Sequence, residues 1–237
     1  MVTKSAVPTE NDQSVAAVLH PSSDASEEWF VCCHGFISDK SGSYERRCQR
    51  AASEGYNAVR FDFRGCGESD GEFVEQTLSS RIADLRAVLD FFEVESSVLF
   101  GSSFGAKTAF HTTVDDDRVR ALAGRAPVTY NRSFGDKRTV VHDDGRFQYD
   151  TGHVIDRRFF DDLDRYSFAD VTAALSIPVA LFHGTADEAV PLDDSLDATG
   201  AFETDVLLQT FHDEGHLFSA EAEARMLHLL FDWIALD

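Results

Sequence analysis

Apolar and polar positions along the chain alternate between two rhythms. Compact apolar runs bounded by turn residues predict strands at 14–19 (S-V-A-A-V-L), 29–33 (W-F-V-C-C), 57–63 (N-A-V-R-F-D-F) and 96–100 (S-S-V-L-F). Further runs at 119–125 (V-R-A-L-A-G-R), 177–182 (I-P-V-A-L-F) and 205–211 (D-V-L-L-Q-T-F) read the same way. Leu78, Ile82, Leu85, Leu89 and Phe92 recur at helical spacing and predict an amphipathic helix over 77–93. Helices are also expected over 43–54, from 104 directly after a strand, over 192–199, and where Met226, Leu229, Leu230 and Trp233 stripe the last segment. Residues 128–167 break the rhythm, being rich in Arg, Asp and aromatics with no sustained period.

Strand and helix in alternation predict the α/β class, with a mostly parallel sheet and helices on both faces. The 237 residues are expected to form one domain, with 128–167 as an insertion over one edge of the sheet. Ligands of such sheets sit at the carboxyl ends of the strands, so the loops after 33, 100, 182 and 211 should converge.

Composition narrows the function. A hydrophobic content of 43% with 20 Phe can build a core that needs neither disulfide nor metal. Cys32, Cys33, Cys48 and Cys66 have no zinc-ligand spacing and read as reduced, buried thiols. Neither a metal nor an organic cofactor is expected. Acidic residues number 42 against 21 basic, a formal net charge of -21, which excludes nucleic acid and an anionic membrane surface as main partners. No apolar run approaches a membrane span, and the first residues, M-V-T-K-S-A-V-P, lack the apolar core of a secretory leader. A cytoplasmic location is therefore expected.

Asp outnumbers Glu 27 to 15, and only 4 of the 21 basic residues are Lys. Such like charge opposes the compact state in dilute buffer. In molar salt the Debye length falls to about 3 Å and the repulsion is screened. The composition thus predicts adaptation to a salty cytoplasm. The melting temperature should rise from low to multimolar KCl; a flat or falling curve overturns this reading.

The chemistry sits in a few loops. Gly101-Ser102-Ser103-Phe104-Gly105 matches G-x-S-x-G between an apolar strand and a helix, the setting in which a strained turn exposes a serine hydroxyl. Glycines at two residues either side keep side chains out of the turn. A second match, Gly67-Glu68-Ser69-Asp70-Gly71, lies several residues past its strand in a Gly-rich loop. Context selects Ser103 over Ser69. A serine needs an adjacent base held in its tautomer by a carboxylate, in the chain order serine, acid, histidine. His111 lies on the helix of the turn itself, and His142 and His153 lie in the irregular segment. His183, at a strand end before Gly184, suits a structural role. His212 and His216 follow the strand 205–211, and His216, beside Gly215 and before the last helix, is preferred. Asp187, in the loop H-G-T-A-D-E-A-V-P, is the candidate acid, with Glu188 as the alternative. Charge developing on a tetrahedral intermediate needs preorganised donors. The backbone N–H groups of Phe104 and, in the loop His34-Gly35-Phe36, of Phe36 are the candidates.

The segments H-G-F (34–36), D-F-R-G-C-G-E-S (62–69), G-S-S-F-G (101–105), H-G-T-A-D-E-A-V-P (183–191) and E-G-H (214–216) resemble the α/β-hydrolase superfamily from about residue 14 to 235. Within it the chain is similar to small intracellular esterases of the cinnamoyl (feruloyl) esterase type and to serine aminopeptidase-like hydrolases. The resemblance implies Ser103 as nucleophile with Asp187 and His216, oxyanion donors at Phe36 and Phe104, a structural role for Ser69, and a small cap over the site at 128–167. Ser102 stands where His is common and Phe104 where Gln or Met is common, which alters the pocket wall. The charge of 128–167 (Arg132, Lys137, Arg138, Asp143, Asp144, Arg157, Arg158) argues against long-chain lipids. The expected function is hydrolysis of a small soluble carboxylic ester through an acyl-enzyme. The alternatives are an aminopeptidase or acyl-peptide hydrolase, a thioesterase, and a non-catalytic binding module.

Overall fold

The computed structural model describes residues 1–235. The chain opens with the hairpin β1 (Thr3–Pro8) and β2 (Ser14–His20), then runs through β3 (Glu28–Cys33), α1 (Ser43–Ser53) and β4 (Asn57–Phe61). It continues with α2 (Leu78–Phe91), β5 (Ser96–Ser102), α3 (Phe104–Thr113) and β6 (Val119–Arg125). Next come α4 (Gly135–Asp144), β7 (Arg146–Gln148), β8 (Val154–Asp156), α5 (Arg157–Leu163) and α6 (Phe168–Ala174). The last elements are β9 (Val179–Gly184), α7 (Leu192–Ala201), β10 (Val206–Phe211) and α8 (Ala220–Ile234). Eight strands form one sheet in the order β1-β2-β4-β3-β5-β6-β9-β10, antiparallel at β1-β2 and β2-β4 and parallel elsewhere. This is the predicted α/β class.

The two-residue period of the strands divides the core. Val31, Leu99, Leu122, Val179 and Leu181 point to the face covered by α2, α3, α6 and α7. Phe30, Cys32, Val98, Phe100, Ala180 and Phe182 point to the face covered by α1 and α8. Strands buried on both faces read as continuous apolar runs, which is why they are visible in the sequence. Helix starts are fixed locally: the Thr77 side chain accepts from the Ser80 N–H in a capping box at α2, and Ser219 accepts from the Ala222 N–H at α8.

Three regions depart from the sequence reading. Strand β1 is an outer strand in which only Val7 is buried, so it carries no alternating pattern. Helix α6 is seven residues long with two buried positions, too short to display a period. The irregular 128–167 segment holds α4, the β7–β8 hairpin and α5; α4 buries only Val141 and so shows no stripe.

The chain leaves β3 for β4 through α1 on one face, and reaches β5 through α2 on the other. The loops after β3 and β5 therefore diverge and open a crevice at the carboxyl end of the sheet.

Candidate active site

The crevice begins at the turn between β5 and α3. Ser103 has φ 54° and ψ −119°, a conformation that costs a non-glycine residue about 1–3 kcal/mol. Neighbouring backbone holds it there. Its N–H donates to the Arg125 carbonyl at 2.8 Å, and its carbonyl accepts from the Ala106 and Val128 N–H groups at 3.1 and 3.3 Å. Both flanking glycines are required by space. A Cβ on Gly101 would stand 2.3 Å from Ala106 Cα, and one on Gly105 would stand 2.2 Å from the Cys33 carbonyl oxygen. Gly105→Ala is therefore expected to destabilise the fold by about 3 kcal/mol or more, since the obstruction is backbone that cannot rotate away. Urea unfolding measures this, and a change below about 1 kcal/mol would refute the packing argument.

The loop after β3 is fixed from beneath. His34 is fully buried; its Nε2 accepts the Phe63 N–H at 3.0 Å, which leaves Nδ1 as the donor to the Gly35 carbonyl at 2.7 Å. Burial, reinforced by the charge of Arg81, pushes its pKa down to about 3, so the ring is neutral. Arg81, buried with its guanidinium 3.7 Å from the Phe63 ring centroid, donates to the His34 carbonyl at 2.6 Å. The Gly35 N–H donates to the Tyr44 hydroxyl at 3.1 Å. Among the described residues the N–H groups of Phe36 and Phe104 have no acceptor. Both residues line the crevice, one on each side of the turn.

Asp187 and His216 meet across the loops after β9 and β10. His216 Nδ1 lies 2.8 Å from Asp187 Oδ2, and the Asp187 side chain is buried while His216 is partly exposed. Asp187 Oδ1 accepts the N–H groups of Ala189 and Val190 at 2.8 and 2.9 Å. Burial alone would raise the Asp187 pKa; hydrogen bonds from His183, His216 and Val190 outweigh it and hold the carboxyl well below its usual range. His183 is fully buried, with Nδ1 2.7 Å from Ser195 Oγ and Nε2 3.0 Å from the Val190 carbonyl. It secures the Asp187 loop, the structural role its sequence position suggested.

One cavity of about 460 Å³ gathers Ser103, His216, Phe36 and Phe104 on its wall. Asp187 stands behind His216. No hydrogen bond joins the Ser103 hydroxyl to His216 among the described residues. The other candidates lie elsewhere. Ser69 Oγ donates to the Asp62 carbonyl at 2.7 Å and accepts the Ala16 N–H at 2.8 Å, so it ties the loop after β4 to β2. Glu188 and His212 are exposed. Phe134 and Tyr149 bring the segment between β6 and β9 onto the cavity, where the Phe36, Phe104, Phe134 and Phe159 rings pack with centroids 4.9–5.8 Å apart. The charges of this segment lie mostly on its outer side, in the pairs Arg138–Asp164 and Arg158–Asp156. Its inner face is aromatic, a feature that the charge-rich sequence of the segment does not display. Among the described residues no cluster of His, Cys, Asp and Glu is placed to hold a metal ion, and no helix is long and apolar enough to cross a membrane.

Comparison with known proteins agrees with this architecture. The bound form of Est1E from Butyrivibrio proteoclasticus, solved with ferulic acid, superposes with a TM-score of 0.83, covers 98% of each chain and is 17% identical. Mouse alpha/beta hydrolase domain-containing protein 10 superposes with a TM-score of 0.84 over 98% of each chain at 20% identity. The chain is an α/β-hydrolase by fold. The family model described as serine aminopeptidase, S33 matches residues 24–137. The human palmitoyl-protein thioesterase ABHD10, a mitochondrial protein, is 24% identical over 218 residues, covering 84% of this chain and 70% of that protein.

Sequence reasoning missed the arginines. Arg47, on α1, is buried; its Nε and Nη2 donate to both carboxylate oxygens of Glu223 at 2.5 and 3.0 Å, and its Nη1 donates to Ser102 Oγ at 3.0 Å. That accounts for Ser102 before the turn: its hydroxyl receives a fixed cation. The signal was present, since Arg47 shares the spacing 44, 47, 48, 51 with Tyr44, Cys48 and Ala51 on the inward stripe of α1.

Proposed function

We propose that this α/β-hydrolase cleaves small carboxylic esters by a serine mechanism. Ser103 Oγ attacks the carbonyl while His216 takes its proton, and Asp187 holds the imidazole with Nδ1 protonated so that Nε2 faces the serine. The N–H groups of Phe36 and Phe104 receive the oxyanion. The alcohol leaves with the proton from His216, and water drawn onto the acyl-enzyme by the same imidazole releases the acid. The observation that carries this reading is the strained Ser103 facing the same cavity as a histidine bonded to a buried carboxylate. The segment 128–167 acts as the cap of this site, and its aromatic inner face suits an aryl or medium-length acyl group.

A fluorophosphonate probe tests it. Labelling located at Ser103 by peptide mass spectrometry is expected, together with turnover of p-nitrophenyl acetate and butyrate in high salt. Failure to label Ser103 would return the chain to the non-catalytic class. A second reading is thioester hydrolysis, favoured by the curated relative that matches 84% of the chain and is named a thioesterase. Rates on an acyl ester, the matching acyl thioester and an amino-acid anilide rank the three; we expect the ester or thioester to exceed the anilide at least a hundredfold.

A further inference from the structure

The cavity bears a charge opposite to that of the chain. Acidic residues outnumber basic ones two to one, 42 against 21, yet among the described residues the cavity wall holds Arg125 and Lys137 and no Asp or Glu. Arg125 closes β6, in register with Ser102 of β5, and is 5% exposed. Its Nη1 donates to the His216 carbonyl. Its Nε is buried with no partner, and among the described residues Nη2 has no acceptor either. The carboxylates nearest to it are already engaged. Both oxygens of Glu223 serve Arg47, and Asp187 serves His216 and two backbone N–H groups. Lys137, on α4, donates to the Ser133 carbonyl at 2.9 Å and lies 5.8 Å from the Phe134 ring centroid, and has no ion pair among the described residues. Arg132, Arg138, Arg158 and Arg165 of the same segment each meet an aspartate, while Arg146 and Arg157, which do not line the cavity, have no ion pair among the described residues. A buried guanidinium without an anion is costly, and a charge-assisted bond to a carboxylate relieves that cost.

We propose that Arg125 and Lys137 bind a carboxylate carried by the substrate, so that the site is selective for esters bearing a negative charge a few bonds from the scissile carbonyl. The proposal rests on the serine hydrolase reading and adds the substrate class to it. The cations also offset, locally, the repulsion that a strongly acidic protein exerts on an anion approaching through solvent.

The p-nitrophenyl monoester of adipic acid and p-nitrophenyl hexanoate, compared at the lowest KCl concentration that keeps the protein folded, provide the test. The wild-type protein should favour the charged ester at least tenfold in kcat/KM. Arg125→Met should lower that preference tenfold or more, Lys137→Met three- to tenfold, and Arg125→Lys should keep part of it. Lys137 is half-buried on the outer segment, so its variant keeps the test valid if Arg125→Met fails to fold. Equal kcat/KM for the two esters, or a preference untouched by both variants, overturns the proposal while leaving the hydrolase intact. Binding of the adipate dianion, measured by calorimetry, separates the two ideas. Saturable binding that weakens tenfold in Arg125→Met upholds the anion site even if neither ester is cleaved, and its absence refutes the site.

Discussion

Ser103→Ala is expected to lower kcat on p-nitrophenyl butyrate by roughly 10⁴ to 10⁶, and to abolish fluorophosphonate labelling. The size follows from the lack of a substitute. Ser102 Oγ is held by Arg47, and Ser69 Oγ is engaged in the loop after β4. Ser38, Ser43 and Ser133 line the cavity but lie on no strained turn. The remaining rate over water would come from the two N–H donors and from binding alone. A melting temperature close to that of the wild type separates loss of chemistry from loss of fold. Retention of more than a few per cent of the activity would refute Ser103 as nucleophile.

Arg47→Met should destabilise the fold by about 3–5 kcal/mol, measured by urea unfolding. The substitution leaves the Glu223 carboxylate buried without its bidentate partner, and Ser102 Oγ without its donor. It also removes the guanidinium from the Tyr44 and Phe100 rings, whose centroids lie 4.7 and 4.8 Å away. The double variant Arg47→Met/Glu223→Leu should recover most of the loss, because a well-packed apolar pair can replace a buried ion pair. If the single variant costs less than about 1 kcal/mol, the pair does not clamp α1 to α8 as described.

The sheet was legible in the sequence because most of its strands are buried on both faces; the candidate Ser103 directly follows β5, whereas the candidates Asp187 and His216 were read from the loops that follow β9 and the edge strand β10. Context also separated Ser103 from Ser69, since only the first lies between a strand and a helix without a gap. Less could be read where burial is one-sided or polar. β1 buries one residue, and α4 presents three sides to solvent. Arg47, Arg81 and Arg125 are charged residues in the interior, and pattern reading assigns charge to the surface. Their partners are distant in the chain, Arg47 and Glu223 being 176 residues apart, and no local spacing encodes such a pairing.

The Arg47–Glu223 pair also sets an order of assembly. During synthesis α1 and the strands beneath it emerge well before α8, so a nascent chain displays an arginine without its counter-charge. Fragments that stop short of α8 would leave Arg47 unpaired and would be poorly folded. Docking of α8 thus neutralises the buried charge and covers one face of the sheet in one event, so that α1 gains its stability only after the rest of the sheet has emerged.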